Sequence, residues 1–242
     1  MSIINSFDPD NNSLTSSFLS KKKDFPKFAI ISFEPKIIIE AQRLYPCKKI
    51  GTMFSGIKIP VYEIEYEGKK IALFLSVMGA PVTINFMEIF HSRGVQSFLF
   101  IGSCGLLEES LSSFSVLVPT KAFRDEGTSY HYQKASDFID IASSSKLINL
   151  LGEVCTPCIT WTTDALFRET EKKALERKAM GCTVVDMEAS AIAAAANFLN
   201  IEAYQFFWPF DNIFSKNKRF CKLSKTWEDY LNLALNIALK IQ

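Results

Sequence analysis

Stretches of apolar residues alternate along the chain with amphipathic stretches, and the two patterns predict strands and helices in turn. Short runs that are continuously apolar, or that alternate apolar with polar residues, predict strands at residues 28–33, 60–66, 71–77, 97–101, 116–118, 159–162, 184–185 and 203–208. Apolar residues at helical spacing predict helices at residues 37–44, 82–92, 170–180 and 227–241. Glu67-Gly68 is a turn signal that joins two of the strands into a hairpin. Strands and helices that alternate in this way predict an α/β sheet.

One predicted strand turns directly into a helix between Gly181 and Ala196. Two valines at 184–185 favour extended backbone, and the run of alanines that ends at Ala196 favours a helix. Asp186 and Glu188 lie between them, at a helix N-terminus where negative charge is stabilised. The structural interpretation is a buried strand and helix with two capping acids. The functional interpretation is a carboxylate at the sheet edge where α/β folds bind ligands.

The composition favours a protein that acts on small molecules. Lys and Arg number 27 and Asp and Glu number 26, so no basic surface indicates a nucleic acid or a membrane as partner. The polar first residues lack the order of a signal peptide, and no apolar run reaches the ~18 residues of a membrane span. We therefore expect a cytoplasmic protein, with a flexible arm at residues 1–24 and a single domain at residues 25–242.

The six cysteines are expected to be reduced thiols in that compartment. Cys155-Thr156-Pro157-Cys158 has the spacing of a redox pair or of half a metal site. No second pair and no nearby histidine completes a metal site in the sequence, so we expect no metal. We interpret the segment as a proline turn between elements, and a thiol oxidoreductase is kept as the alternative.

Five stretches, taken together and in order, resemble the nucleoside phosphorylase superfamily of purine and uridine phosphorylases and methylthioadenosine nucleosidases. Val184-Val-Asp-Met-Glu-Ala-Ser190 is similar to its V-E-M-E-A/S signature. The other four similar stretches are Ser76–Pro81, Ile101–Gly105, Arg124–Tyr132 and Trp161–Thr170. The resemblance implies a three-layer single domain with a mixed central β-sheet flanked by helices.

The resemblance also implies roles for residues at the sugar and at the phosphate. Glu188 would bind the ribose hydroxyls, and Met187 would pack under the sugar. Ser103 and Gly105 would belong to a loop that binds phosphate, since glycine lets backbone approach a ligand and successive N–H groups form an anion nest. An ordinary glycine turn explains the same residues.

A second group of residues would contact the base. In the family, an aromatic side chain lies against the base; here Leu166 has that first position, so Phe167 would take more of the role. Arg168 would donate hydrogen bonds to a base carbonyl, although an exposed arginine explains it equally well. Asp211 would protonate N7 of a leaving purine, although a surface Asp-Asn turn is the alternative. An acid at the base and a carboxylate at the sugar answer the charges that glycosidic cleavage creates.

The chain departs from the family where phosphate would bind. The family's first loop has a glycine and an arginine, whereas this chain has Phe33-Glu-Pro-Lys-Ile37. A second arginine is replaced by Phe100. Lys36 would substitute for one of them only as a point charge. Arg124 and His131 are candidates to complete the site of a neighbouring subunit, because the family forms dimers and hexamers with shared sites.

The leading functional expectation is a homo-oligomeric nucleoside phosphorylase. It would cleave the N-glycosidic bond of a nucleoside with inorganic phosphate as co-substrate and without a cofactor, giving free base and ribose 1-phosphate. The alternatives are a hydrolytic nucleosidase that uses water and a non-catalytic binding protein of the same fold. The sequence leaves open whether the base is a purine or a pyrimidine.

Overall fold

The computed structural model describes residues 2–19, 22–215 and 220–242. Residues 1, 20 and 21 of the predicted arm lie outside this range. The described part of the arm contains two short 3₁₀ turns, Ile3–Asn5 and Ser16–Phe18. The ring of Phe7 packs edge-on against the ring of Phe198, with 6.5 Å between the two centroids. The division of the chain at residue 24 stays a prediction.

The remaining described residues form a three-layer α/β fold, as the resemblance implied. The strands are β1 Phe28–Ser32, β2 Lys48–Ser55, β3 Ile57–Tyr66, β4 Lys69–Leu75, β5 Ser97–Leu106, β6 Leu117–Asp125, β7 Phe138–Asp140, β8 Thr156–Thr163, β9 Val184–Asp186 and β10 Glu202–Asn212. The helices are α1 Pro35–Leu44, α2 Ala80–Ser92, α3 Ser129–Tyr132, α4 Ser144–Leu151, α5 Glu171–Ala179, α6 Ala189–Leu199 and α7 Trp227–Ile241. Of the described helices, none is both long and apolar enough to cross a bilayer.

The strands pair into one mixed sheet in the order β10-β6-β8-β9-β5-β1-β4-β3-β2. β10 also pairs with β5, so that β5, β10, β6, β8 and β9 close into a ring. β1 runs parallel to both of its neighbours, whereas β3 and β4 form the predicted antiparallel hairpin. The sheet is therefore part open and part closed, with β5 shared by both parts.

Side-chain alternation in the buried strands divides the core between two faces. Phe28 and Ile30 of β1 pack with α1, α4 and α7, whereas Ala29 and Ile31 pack with α2 and α6. Residues in β1 are fully or almost fully buried, because helices cover both faces of the sheet. The alanines of α6 are almost all buried, which lets that helix lie close to the sheet.

Two turns that the sequence predicted are strands in the structure. β5 continues through Gly102 and Gly105 to Leu106 and pairs with β10 along this length, so the segment is neither a glycine turn nor an anion nest. Cys158 lies inside β8, and Cys155 precedes it in extended backbone. Residues three apart in extended chain are roughly 10 Å apart, beyond the reach of a disulfide. Both cysteines are free thiols, and burial raises the pKa of Cys158.

Candidate active site

A cavity of about 200 Å³ opens where β5, β9 and β10 end. Five of the residues predicted for the site line it, and they are Ser103, Gly105, Met187, Glu188 and Asp211. Two further acidic residues, Glu169 and Asp186, also line it. The remaining wall is largely apolar and includes Leu166, which the sequence placed at the family's position against the base. Sequence reasoning gave no site role to other members of this wall, such as Met78, Gln205, Phe207 and Phe210. These residues come from distant segments, so only the fold brings them together.

The turn from β9 into α6 is built around the Asp186 carboxylate. Its Oδ1 accepts hydrogen bonds from the hydroxyls of Thr160 and Thr162, both at 2.8 Å. Its Oδ2 accepts from the backbone N–H groups of Glu188 at 2.7 Å and Ala189 at 2.6 Å. Four donors hold this buried carboxylate, which caps the helix as the structural interpretation expected. Of the two acids, only Asp186 is the cap.

Glu188 occupies the N-cap position of α6, but its side chain makes no capping bond. Its Oε1 instead accepts a hydrogen bond of 2.6 Å from the backbone N–H of Gly79, in the loop between β4 and α2. Gly79 has a φ of 114°, a conformation that favours glycine. The glycine directly before Ala80-Pro81 was the sequence signal for this contact, which sequence reasoning missed. Glu188 is therefore turned away from its own helix and into the cavity wall.

The pKa of the Glu188 carboxyl is raised to about 8. Burial is the largest cause, because it disfavours the charged form, and the neighbouring Asp186 carboxylate acts in the same direction. A carboxyl with such a pKa gains or loses its proton near neutral pH. Ligand hydroxyls that donate to it would favour the charged form.

We expect this pKa to make stability depend on pH. Above the ordinary value of 4.5 the unfolded chain loses the Glu188 proton, whereas the folded chain keeps it up to about pH 8. The free energy of unfolding therefore falls as pH rises through this window, by on the order of 4 kcal/mol at its upper end. The free energy of unfolding is measured in urea at pH 5 and at pH 8. Its decrease from pH 5 to pH 8 should be smaller for Glu188→Gln than for the unchanged protein.

Glu202→Gln is the matched control for that measurement. Burial alone would raise the pKa of Glu202, but the hydrogen bond and positive charge of Lys146, together with a hydrogen bond from Ser97, lower it. A lowered carboxyl pKa stabilises the fold above the unfolded value and loses this effect only as pH falls below it. Glu202→Gln should therefore show the same decrease in the free energy of unfolding between pH 5 and pH 8 as the unchanged protein. If Glu188→Gln showed the same pH dependence of stability as the unchanged protein, this would contradict the raised pKa of Glu188.

A bulge in β10 places Asp211 at the cavity. Pro209 pairs with Cys104 of β5 and Asp211 pairs with Gly105, so Phe210 is an extra residue between two consecutive pairs. A Cβ atom on Gly105 would lie 3.2 Å from Asp211 Oδ1 and 2.8 Å from Val185. The close packing of Val185 and the Asp211 carboxylate is therefore a structural reason for glycine at position 105. The predicted contact of Gly105 with phosphate stays a prediction.

The region predicted to bind phosphate lacks, among the described residues, the cations that would balance the charge of a phosphate group. Phe100 is buried and stacks on Phe98 with 5.8 Å between the ring centroids. The prediction that Lys36 would reach phosphate is not supported, because its Nζ lies over the ring of Trp227 at 5.0 Å and Lys36 does not line the cavity. Ser103 remains, with an exposed side chain. Within the described part of the chain, no lysine, arginine or histidine lines the cavity.

Arg124 is not available to a neighbouring subunit. Its buried guanidinium donates to the hydroxyls of Ser129 and Ser136 and to the carbonyls of Gln133 and Lys134. These bonds hold the segment that follows β6 and give Arg124 a structural role within its own chain. His131 is exposed at a separate surface hollow, and its role stays a prediction.

Two of the residues predicted to meet the base lie outside the cavity wall in the structure. Phe167 is 96% exposed and does not line the cavity. Arg168 is exposed as well and lies outside the cavity wall. The short 3₁₀ turn Leu166–Arg168 turns only its first side chain inward, so Leu166 lines the cavity instead.

Comparison with known proteins places these features in context. The family model described as the phosphorylase superfamily matches residues 34–207. A DeoD-type purine nucleoside phosphorylase of Aliivibrio fischeri is 26% identical over 185 residues, which cover 73% of this chain and 77% of that protein. A guanosine phosphorylase of Halorubrum lacusprofundi is 22% identical over 192 residues, which cover 76% and 78%.

One relative and one solved structure complete the comparison. An uncharacterized protein of Acanthamoeba polyphaga mimivirus is 28% identical over 145 residues, and this match spans 59% of the chain but only 57% of that protein. The crystal structure of purine nucleoside phosphorylase from Toxoplasma gondii in complex with immucillin-H superposes with a TM-score of 0.73 at 17% identity, covering 91% of this chain and 95% of that one. At this identity the likeness concerns the fold.

Proposed function

The chain belongs to the phosphorylase superfamily, and from that premise we propose that it cleaves the N-glycosidic bond of a purine nucleoside. One observation carries the proposal: Glu188, in the turn from β9 into α6, and Asp211, in β10, line the same cavity. A carboxyl at each end of a bound nucleoside would serve the two charges that develop as the bond breaks.

In the proposed reaction Asp211 acts on the base and Glu188 on the sugar. As the bond between C1′ and N9 breaks, its electron pair moves onto the base, and Asp211 gives a proton to N7. Positive charge develops on the ribose ring, and the Glu188 carboxylate, accepting hydrogen bonds from the ribose hydroxyls, stabilises it. The bond from C1′ to an acceptor oxygen then completes the transfer. Met187 forms part of the same wall.

The proposal of a purine rests on two points. Two relatives carry the names purine nucleoside phosphorylase and guanosine phosphorylase. A purine also has the N7 atom that a carboxylic acid in the position of Asp211 could protonate, whereas the six-membered ring of a pyrimidine has no such atom.

Phosphate is the acceptor that the names of these relatives favour. Ser103 would donate its hydroxyl to it. Phosphate carries nearly two charges at neutral pH, however, and the described wall presents four carboxyl groups and no cation to balance it. This observation favours water as a second candidate acceptor, which would make the protein a nucleosidase.

A product assay tests both the reaction and the acceptor. The protein is incubated with adenosine, guanosine, inosine and uridine, each with and without inorganic phosphate, and free base and sugar are separated. We expect free purine base, with ribose 1-phosphate formed only when phosphate is present. Free ribose at the same rate without phosphate would identify the nucleosidase instead. No cleavage of any nucleoside would contradict the proposed function.

A further inference from the structure

The residue next to Asp211 has a position that regular strand geometry would not give it. Successive side chains of a strand point to opposite faces of the sheet. Phe210 and Asp211 are consecutive in β10, yet both line the cavity. The bulge accounts for this, because Phe210 is the unpaired residue between the pairs of Pro209 and Asp211.

Phe210 is also the aromatic residue of the wall with the most open ring. Phe100 is 2% exposed and Phe207 is 7% exposed, so their rings are committed to the core. Phe210 is 51% exposed although it lines the cavity, which leaves part of its ring available to a ligand.

The ring of Phe210 packs against a second phenylalanine, Phe220. Its centroid lies 5.3 Å from that of Phe220 with the two planes at 66°, an edge-to-face contact. The carbonyl oxygen of Phe210 accepts a hydrogen bond of 2.8 Å from the backbone N–H of Cys221. The backbone of Phe220 forms an isolated antiparallel β-bridge with that of Asp211. The neighbouring chain thus holds both the ring and the acid beside it.

From this arrangement we infer that Phe210 is the platform on which the purine stacks while its edge faces Asp211. The inference rests on the proposed function for the identity of the ligand. It makes Phe210 a specificity-determining residue, because a flat ring beside an acid selects a flat heterocycle whose edge accepts a proton. Stacking is tolerant of substituents, so affinity for several purines should depend on it alike.

Calorimetric titration with adenine, guanine and hypoxanthine tests the inference on the full chain. Phe210→Ala should weaken the binding of all three bases roughly tenfold to a hundredfold. Phe210→Tyr, which keeps the aromatic face, should stay within about threefold of the unchanged protein, and Phe210→Leu, which keeps only bulk, should fall between the two. Phe167→Ala is the matched control, since Phe167 is an exposed phenylalanine outside the cavity wall. Phe167→Ala should leave the affinity for all three bases unchanged. Thermal unfolding of each variant tests whether it is folded.

A second measurement reports stacking directly. Phe210→Trp should show tryptophan fluorescence that adenine quenches and ribose does not, with the unchanged protein subtracted to remove Trp161, Trp208 and Trp227. Base affinity that is equal in Phe210→Ala and the unchanged protein would overturn the inference, as would absence of base binding by the unchanged protein. Loss of base affinity in Phe210→Ala together with no nucleoside cleavage would support the inference and refute the proposed function. Unchanged base affinity in Phe210→Ala together with nucleoside cleavage would refute the inference and support the proposed function.

Discussion

Replacing Asp211 by asparagine is expected to lower kcat for purine nucleosides about a hundredfold or more. Asparagine has nearly the same shape, so it fits the space beside Gly105 and Val185, but it cannot give a proton to N7. The departing base would then leave as an anion. Steady-state kinetics with inosine and guanosine measures the loss.

A substrate that needs no proton separates this role from a structural one. Nitrophenolate leaves readily as an anion, so a nitrophenyl riboside should be cleaved by Asp211→Asn at close to the rate of the unchanged protein. An equal loss on both substrates would make Asp211 a structural residue. Thermal unfolding of the variant excludes a general loss of fold.

Replacing Glu188 by glutamine is expected to cost about a hundredfold to a thousandfold in kcat/KM. The amide cannot carry the negative charge that stabilises the ribose ring, and its NH₂ group would oppose the N–H of Gly79 if it took the place of Oε1. The fold should survive, because Asp186 and not Glu188 caps α6.

Paired sugars test whether the Glu188 carboxylate contacts the 2′-hydroxyl. A 2′-deoxyriboside offers one hydroxyl fewer, so Glu188→Gln should lose less activity on deoxyinosine than on inosine. Equal losses would argue against that contact, and full activity would remove Glu188 from the site. For the unchanged protein, kcat/KM should rise with pH toward about 8, where the Glu188 carboxyl ionises.

The apolar pattern was sufficient to predict the elements that are buried on one or both faces. β1, the hairpin of β3 and β4, and α7 lie within a few residues of their predicted bounds, because burial imposes a clear period on their sequences. β2 was missed, since it is the edge strand of the sheet and most of its side chains are at least partly exposed. α4 was missed as well; it has only eight residues, and of its four apolar side chains Leu147 alone is buried in the core.

Some residues of the candidate site could be predicted from a local sequence motif, whereas others could be placed only from the fold. Glu188 and Met187 belong to a local strand-to-helix motif, which a sequence displays in full. The inward position of Phe210 depends instead on how β10 pairs with β5, about a hundred residues away in the chain. The hydrogen-bonded surroundings of Arg124 likewise required the fold, because the sequence shows the arginine but not its partners. Asp211 also lies beyond residue 207, where the family match ends.

The ring of strands has a consequence for the order in which the protein folds during synthesis. β10 is the last strand to leave the ribosome, yet it lies between β5 and β6 and closes the ring. Until it emerges, β5 has an unpaired edge of ten residues that can pair with another chain. The nascent protein is thus exposed to aggregation between the synthesis of β5 and that of β10, about a hundred residues later. The closing step adds Asp211 at the same time, so a chain becomes competent for the proposed chemistry only as it loses its open edge.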